Sequence, residues 1–230
     1  HAVQRRLAAL LPDAETVGSA SSLELGALLV QDKPRLDPPE IIEGKAIRAI
    51  GISGEPAAHF AAFLDGTQSS RVSQFVSGVP IVHATVAAVV RERRDRRMST
   101  WRAPLVERRL YAPLAMLAPG TVDALGASGA PVSDISADGE IDSIHPFALQ
   151  DVALQAVQRD RSALERALAE AWVASRADVL YIDGGISESP DVATSSAVVG
   201  VVKTHQQLYV HGDDLMTILR LPAGQRSSVT

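Results

Sequence analysis

The chain has 230 residues, of which 46% are hydrophobic and 21% are charged, and its formal net charge is −5. These values are ordinary for a globular protein with a real core, and the net charge gives no general sign of nucleic-acid binding. The absence of cysteine excludes disulfides and thiolate metal sites. No apolar run reaches the ~18 residues that a membrane span needs, so we expect a cytoplasmic protein.

The first part of the chain is predicted to be helical. Helices are predicted at residues 3–11, 20–30 and 41–52. Prolines within 31–40 mark a loop before the last of these. We therefore predict an N-terminal helical extension over residues 1–56. The remainder, 57–230, is predicted to be the main domain, and we expect it to be incomplete at its C-terminal end.

Three strands open the predicted main domain, and short connections between them favour an antiparallel meander. They are expected at residues 61–64, 71–77 and 81–90. An exposed excursion is predicted near 91–147, which holds a basic run, several prolines and many Gly and Ser residues. Within it, a loop and a short helix are predicted around 104–117.

The clearest helix is predicted over residues 148–175, where Leu164, Leu168 and Trp172 share one face. Further elements follow it, a strand at 179–183, a strand at 197–202 and a short helix at 213–219. Three antiparallel strands followed by helix-linked strands indicate an α/β fold with a ribonuclease-H-like mixed sheet and flanking helices. In that topology the first strand lies beside the strand that follows the long helix.

Two carboxylates stand at the ends of these two strands. Asp65 follows the first strand and precedes Gly66, and Asp183 ends the later strand before Gly184. Neighbouring carboxylates repel each other unless a cation lies between them. Oxygen ligands alone suit Mg²⁺ or Mn²⁺, and a pair of such ions promotes phosphodiester hydrolysis. The alternative is that each Asp-Gly pair is only turn chemistry.

A third carboxylate is expected on the long helix, and helical position favours Glu165 because it flanks the apolar stripe. Asp160, on the other rim, remains the alternative. Glu165 is equally compatible with a simple i, i+4 ion pair to Arg161. Lys203, directly after an apolar strand, is a candidate contact for the scissile phosphate, although a lysine there commonly just faces solvent.

Basic residues in the first half of the main domain are candidates for contacting a DNA backbone. They are Arg71, Arg91, Arg93 and Arg94, together with Lys203 from the later strand. A solvated strand or helix end explains the run at 91–97 equally well.

Several motifs together resemble the NurA-type nucleases. Leu64-Asp-Gly-Thr-Gln-Ser-Ser-Arg71 is similar to the opening motif of that family. Arg161…Glu165, Val179-Leu-Tyr-Ile-Asp-Gly184 and Val199-Gly-Val-Val-Lys203 resemble its later motifs, in the same order. The similarity extends over about residues 57–226. The family also uses a histidine near its C-terminus, and neither His205 nor His211 is in the matching position.

The resemblance implies a metal-dependent DNA nuclease that acts in double-strand-break end resection. It implies that Asp65, Glu165 and Asp183 bind two Mn²⁺ (or Mg²⁺) ions, and that Lys203 takes part in catalysis. The implied partners are DNA, a HerA-type hexameric ATPase and a second copy of the chain. The alternative is a non-catalytic DNA-binding or ATPase-adaptor module on the same fold.

Overall fold

The computed structural model describes residues 2–16, 40–54, 60–138, 145–201 and 210–228. The described residues fall into two compact units. One unit holds residues 2–16, 60–138 and 145–201, and the other holds 40–54 and 210–228. The units therefore alternate along the chain, which differs from the single boundary predicted between residues 56 and 57.

The described strands, in chain order, are β1 Glu15–Thr16, β2 Ala49–Gly51, β3 Ala62–Val76, β4 Val79–Arg94, β5 Arg97–Thr100, β6 Leu105–Ala112, β7 Val132–Asp134, β8 Leu180–Asp183, β9 Val198–Val201 and β10 Gln225–Ser227. The described α-helices are α1 Ala2–Leu10, α2 Pro119–Gly126, α3 Pro146–Val173, α4 Pro190–Ala193 and α5 Gly212–Leu219. Short 3-10 helices occupy Leu114–Met116 and Ile135–Asp138. None of the described helices is long and apolar enough to cross a membrane.

A mixed sheet forms the centre of the larger unit. Its strand order is β7-β6-β4-β3-β8-β9, with β1 added beside β3 and β5 beside β4. The β3/β4 and β4/β6 pairs are antiparallel, whereas β3/β8, β8/β9 and β6/β7 are parallel. The protein therefore has an α/β fold with a mixed sheet. The predicted neighbourhood of the first strand and the strand after the long helix is confirmed by the β3/β8 pair.

Helix α3 covers one face of this sheet, here called the inner face. Its buried Leu168 and Trp172 pack with Leu64, Val90 and Ile182. Farther toward its start, other apolar residues of α3 pack against the middle of β4. Trp172 is held by a hydrogen bond from its Nε1 to the Asp178 carbonyl (2.8 Å) and by edge contact with Trp101 at 5.0 Å between ring centroids. The opposite face, here called the outer face, is covered near Ile81 and Leu110 by residues of α1 and α2.

The two strands predicted at 61–64 and 71–77 are one strand, so the predicted end of the first strand at Asp65 is wrong, as is the alternative of a turn at Asp65 and Gly66. Strand β4 runs antiparallel to β3 and supplies a partner for every residue from Ala62 to Val72. Its apolar residues alternate between buried and half-buried positions. Since pairing with β4 holds Asp65 and Gly66 within the ladder, their turn propensity is overridden.

The prediction of an exposed excursion over 91–147 is also wrong in part. The first four of these residues continue β4, and β6 occupies most of the segment predicted as loop and helix at 104–117. Leu110, Tyr111 and Ala112 of β6 are buried. Prolines 104 and 113 flank this strand rather than interrupt it, which agrees with the usual restriction of proline to strand ends.

The smaller unit contains an antiparallel pair of β2 and β10. The helix predicted at 41–52 is therefore wrong, because its last residues pair with a segment far away in sequence. Arg226 Nη2 lies 2.9 Å from Glu43 Oε1, and the Ser228 hydroxyl accepts from the Arg48 amide at 3.2 Å. The helix predicted at 20–30 lies outside the described residues. The long helix, β8, β9 and α5 agree with their predicted positions within about two residues.

Candidate functional site

The candidate site lies where β3 and β8 separate. Their parallel pairing ends at Leu64 opposite Ile182, so Asp65 and Asp183 are the next residues on the two strands. Leu64 and Ile182 are buried in the core beneath α3, whereas both aspartates are exposed. The core thus holds β3 and β8 in register, and each strand presents one carboxylate just beyond their last pair.

Glu165 of α3 occupies the space next to Gly66. A Cβ atom on Gly66 would overlap the Glu165 carboxylate, and its Oε1 would be the nearest atom. Glycine at this position therefore makes room for the glutamate. Strand β8 ends at Asp183, so its pairing with β3 does not extend to the level of Gly66. Glu165 thus approaches from the inner face at the point where the two strands part.

The electrostatic environment of Glu165 connects the three acids. Burial raises its pKa, Arg161 acts in the opposite direction, and the charges of Asp65, Glu188 and Asp183 raise it further. Both aspartates are therefore within electrostatic reach of the glutamate. A carboxylate that is half-buried and surrounded by like charges is typical of a functional site.

A cavity of about 220 Å³ opens beside these acids. Its lining includes Glu165 and Asp183, and also Arg161, Arg166 and Glu188. Arg161 Nε lies 3.7 Å from Glu165 Oε1 and is buried without a hydrogen-bond partner among the described residues. Arg166 Nη1 lies 3.3 Å from Glu188 Oε2. The cavity therefore combines acidic and basic groups, as a pocket for a charged ligand does.

The alternative helix carboxylate, Asp160, lies in a different environment. Its Oδ2 accepts a hydrogen bond of 2.7 Å from the Tyr111 hydroxyl and is 3.7 Å from Arg109 Nε. Burial and this hydrogen bond raise the pKa of Tyr111 far above its usual value. Asp160 lines a separate cavity together with Arg109 and Tyr111. It is the Glu165 side chain, and not that of Asp160, that lines the cavity with Asp183.

Of the arginines predicted to contact DNA, three lie close together at the end of β4. Arg91 donates to the Thr100 hydroxyl at 3.3 Å, and Arg94 pairs with Glu92 at 3.3 Å. The guanidinium of Arg93 lies 5.8 Å from the centre of the Phe63 ring. Arg71 is distant from them along β3, opposite His83. Lys203 and His205 lie outside the described residues.

Sequence reasoning did not identify Glu188, Arg161 and Arg166 as lining residues of this site. Glu188 lies in the loop after Gly185, where nothing distinguishes it from other polar loop residues. Arg161 precedes Glu165 by one helical turn, so the i, i+4 spacing was a usable signal.

The donor set of this site consists of carboxylate oxygens, which suit Mg²⁺ or Mn²⁺. Within the described ranges, however, no three acidic or histidine side chains are already gathered as a metal-binding group. The chemistry of the donors therefore fits a divalent cation, while their side chains would have to turn toward it.

Comparison with known proteins adds no relative from which function can be read. No protein-family model matches the chain, and no curated protein shows significant similarity to it. The class of the protein is therefore defined by its own structure. It is an α/β protein whose mixed sheet carries an acidic site where two parallel strands part.

Proposed function

We propose that the protein is a metal-dependent DNA nuclease with a ribonuclease-H-like fold. The observation that carries this proposal is the position of Asp65 and Asp183, each the residue that follows the last β3/β8 pair on its strand, with Glu165 beside Gly66. Three carboxylates on a rigid sheet and helix suit the binding of divalent cations at a phosphodiester.

Asp65, Glu165 and Asp183 are the residues that would hold Mn²⁺ or Mg²⁺, and a pair of ions is the expected number. Such ions, when bound, neutralise the charge of the phosphodiester and activate the attacking water. The protein's own share is to position the oxygen donors, since β3, β8 and α3 fix them relative to one another. Arg161 would lose its position beside Glu165 to a cation and become available to a phosphate oxygen.

The resemblance to NurA-type nucleases supports DNA as the substrate and end resection as the process. It also supports a HerA-type hexameric ATPase and a second copy of this chain as partners. The cytoplasm is proposed as the place of action on the ground of the composition. Lys203 is proposed to contact the scissile phosphate. The sequence motifs that carry this resemblance include all four of the proposed catalytic residues.

The proposal is tested by Mn²⁺-dependent cleavage of linear DNA. Asp65→Asn and Asp183→Asn keep the size of the side chain but remove its charge, so each should lower the cleavage rate by about a hundredfold or more. Asp123→Asn is the matched control, because Asp123 is an exposed residue of α2. Cleavage by Asp65→Asn at the rate of wild type would refute the proposal.

The second candidate is a non-catalytic DNA-binding or ATPase-adaptor module. It is favoured by the position of Arg161, which already places a positive charge 3.7 Å from Glu165. In this function the acids serve only to stabilise the ends of the strands. A calorimetric titration that shows DNA binding but no heat of Mn²⁺ binding would support it over the nuclease.

A further inference from the structure

The outer face of the sheet carries two clusters of side chains that the acidic site does not use. On β3 and β4, the residues that alternate with the buried inner-face positions point outward. Phe63, Asp65 and Arg71 of β3 are therefore on the same face, as are His83 and Arg93 of β4. In β6, Arg108 and Val106 point the same way, and Val106 is 49% exposed.

The first cluster is cationic and consists of Arg71, His83 and Arg108. Arg71 pairs directly with His83 across β3 and β4, and Arg108 is diagonal to His83 on β6. Burial lowers the pKa of His83, and the charges of Arg71 and Arg108 lower it further. Within the described part of the chain, neither arginine forms an ion pair or a side-chain hydrogen bond. Two uncompensated guanidinium groups on a sheet face suit phosphate groups.

The second cluster is aromatic and consists of Phe60, Phe63 and Tyr181. The ring centroid of Tyr181 lies 5.2 Å from that of Phe60 and 5.8 Å from that of Phe63. All three rings are only partly buried, and the Arg93 guanidinium lies over Phe63. Partly accessible rings beside an arginine suit the stacking of unpaired bases.

The two clusters lie on opposite sides of the acids along β3. Arg71 is eight residues from Phe63, which corresponds to about 26 Å in a strand. Asp65 lies between them on the same face, and Asp183 follows Tyr181 by two residues on β8. A chain that contacts both clusters must therefore pass over Asp65 and the end of β8, and about 26 Å of strand gives room for several nucleotides.

We propose that the outer face of the sheet binds single-stranded DNA, with phosphates at Arg71 and Arg108 and bases stacked on Phe63 and Tyr181. The choice of DNA rests on the proposed function, whereas the preference for a single strand rests on the aromatic cluster, because paired bases cannot stack on side chains. The cationic cluster is complementary in charge to the phosphates, and the aromatic cluster offers rings on which the bases can stack.

The test is fluorescence anisotropy in EDTA, with a labelled oligothymidylate of about 20 nucleotides and a duplex of equal length as probes. Arg71→Ala/Arg108→Ala should weaken binding of the single strand at least about tenfold and reduce its salt slope by ~1.4, since each phosphate contact contributes ~0.7. Phe63→Ala should weaken it about tenfold with the slope unchanged. Thr67→Glu, at an exposed outer-face position, should also weaken it without removing any packing.

The matched control is Arg5→Ala/Arg220→Ala, which removes the same charge from exposed positions on α1 and beside α5. Near-native binding by this control, with tighter binding of the single strand than of the duplex, is the expected result. Tighter binding of the duplex would overturn the inference. Unchanged DNA binding by the outer-face variants would also overturn the inference. This holds even if the variants change the sedimentation coefficient, since that result would assign the outer face to dimer formation instead.

The test is independent of the nuclease assay because EDTA removes the metal. If the outer-face variants lose binding but Asp65→Asn still cleaves DNA, the nuclease proposal fails and this inference stands. If Asp65→Asn is inactive but the outer-face variants bind normally, this inference fails and the nuclease proposal stands.

Discussion

Glu165 carries its charge at a position where an ionised carboxyl is disfavoured. It is half-buried, and the neighbouring charges of Asp65, Asp183 and Glu188 all oppose its ionisation, while Arg161 offsets them only in part. Proteins commonly tolerate such a cost at sites that act on a ligand. The same group is therefore expected to influence both stability and cation binding.

Glu165→Gln should raise the free energy of unfolding at neutral pH. The pKa of Glu165 is raised above 4.5 in the folded state, so its contribution to stability is fully present below about 4.5 and is lost as pH rises through the folded value. The gain of the variant over wild type should therefore be largest at pH 7 and should vanish below about pH 4.5. Urea unfolding at several pH values measures it. Glu170→Gln, at an exposed position of α3, should show no such gain, and a loss of stability in Glu165→Gln at pH 7 would contradict the expectation.

At the scale of elements, the position of Asp183 depends on the packing of β8 against β9. Gly184 continues the ladder by donating its amide to the Val201 carbonyl at 3.0 Å. A Cβ on Gly200 of β9 would lie 2.7 Å from the Gly184 carbonyl oxygen and 2.8 Å from Ile186 Cγ2. The loop after Asp183 is thus closely packed on a strand position that only glycine fits.

Gly200→Ala should lower the free energy of unfolding by about 1–3 kcal/mol, because a backbone oxygen cannot move away as a flexible side chain can. It should also reduce Mn²⁺-dependent cleavage, since Asp183 precedes the displaced loop. Gly185→Ala is the control, because a Cβ there meets no atom within 4 Å, and its effect on stability should stay within about 0.5 kcal/mol. Equal urea midpoints for Gly200→Ala and wild type would show that the loop moves freely.

At the scale of the whole molecule, the net charge does not describe how positive and negative side chains are distributed over the surface. The chain has a net charge of −5, yet Arg71, Arg93 and Arg108 lie on the outer face of the sheet. The exposed carboxylates of Asp65 and Asp183 lie close together on neighbouring strands. The carboxylates of Asp65, Glu165 and Asp183 repel one another in the folded state but are far apart in the unfolded chain. Divalent cations bound between them would relieve this repulsion. Cation binding should therefore be coupled to folding.

Mn²⁺ should raise the midpoint of thermal unfolding of wild type in a concentration-dependent way. At a concentration 100 times the dissociation constant, the expected stabilisation is about 2.7 kcal/mol. Asp65→Asn/Asp183→Asn should lose this response, whereas Asp123→Asn should keep it. Calorimetric scans with and without Mn²⁺ provide the measurement. An equal shift in the double variant would place the bound ion elsewhere.

The sequence by itself determined the elements whose signal is local. The 28-residue helix α3 was predictable because its apolar residues recur with helical period, and β8 because a short β-branched and aromatic run ends at Asp183 and two glycines. The neighbourhood of β3 and β8 followed from a topological rule that depends only on element order. Asp65, Asp183 and Glu165 were named as candidates on these grounds.

Only the tertiary structure decided the features that depend on a distant partner. Asp65 and Gly66 lie in a strand because β4 pairs with them, and Ala49–Gly51 is a strand because β10 does. The space beside Gly66, the cavity lined by Arg161 and Glu188, and the outer-face clusters all arise from residues far apart in the chain. Local propensity amounts to a few tenths of a kcal/mol per residue, so such long-range pairing and packing override it.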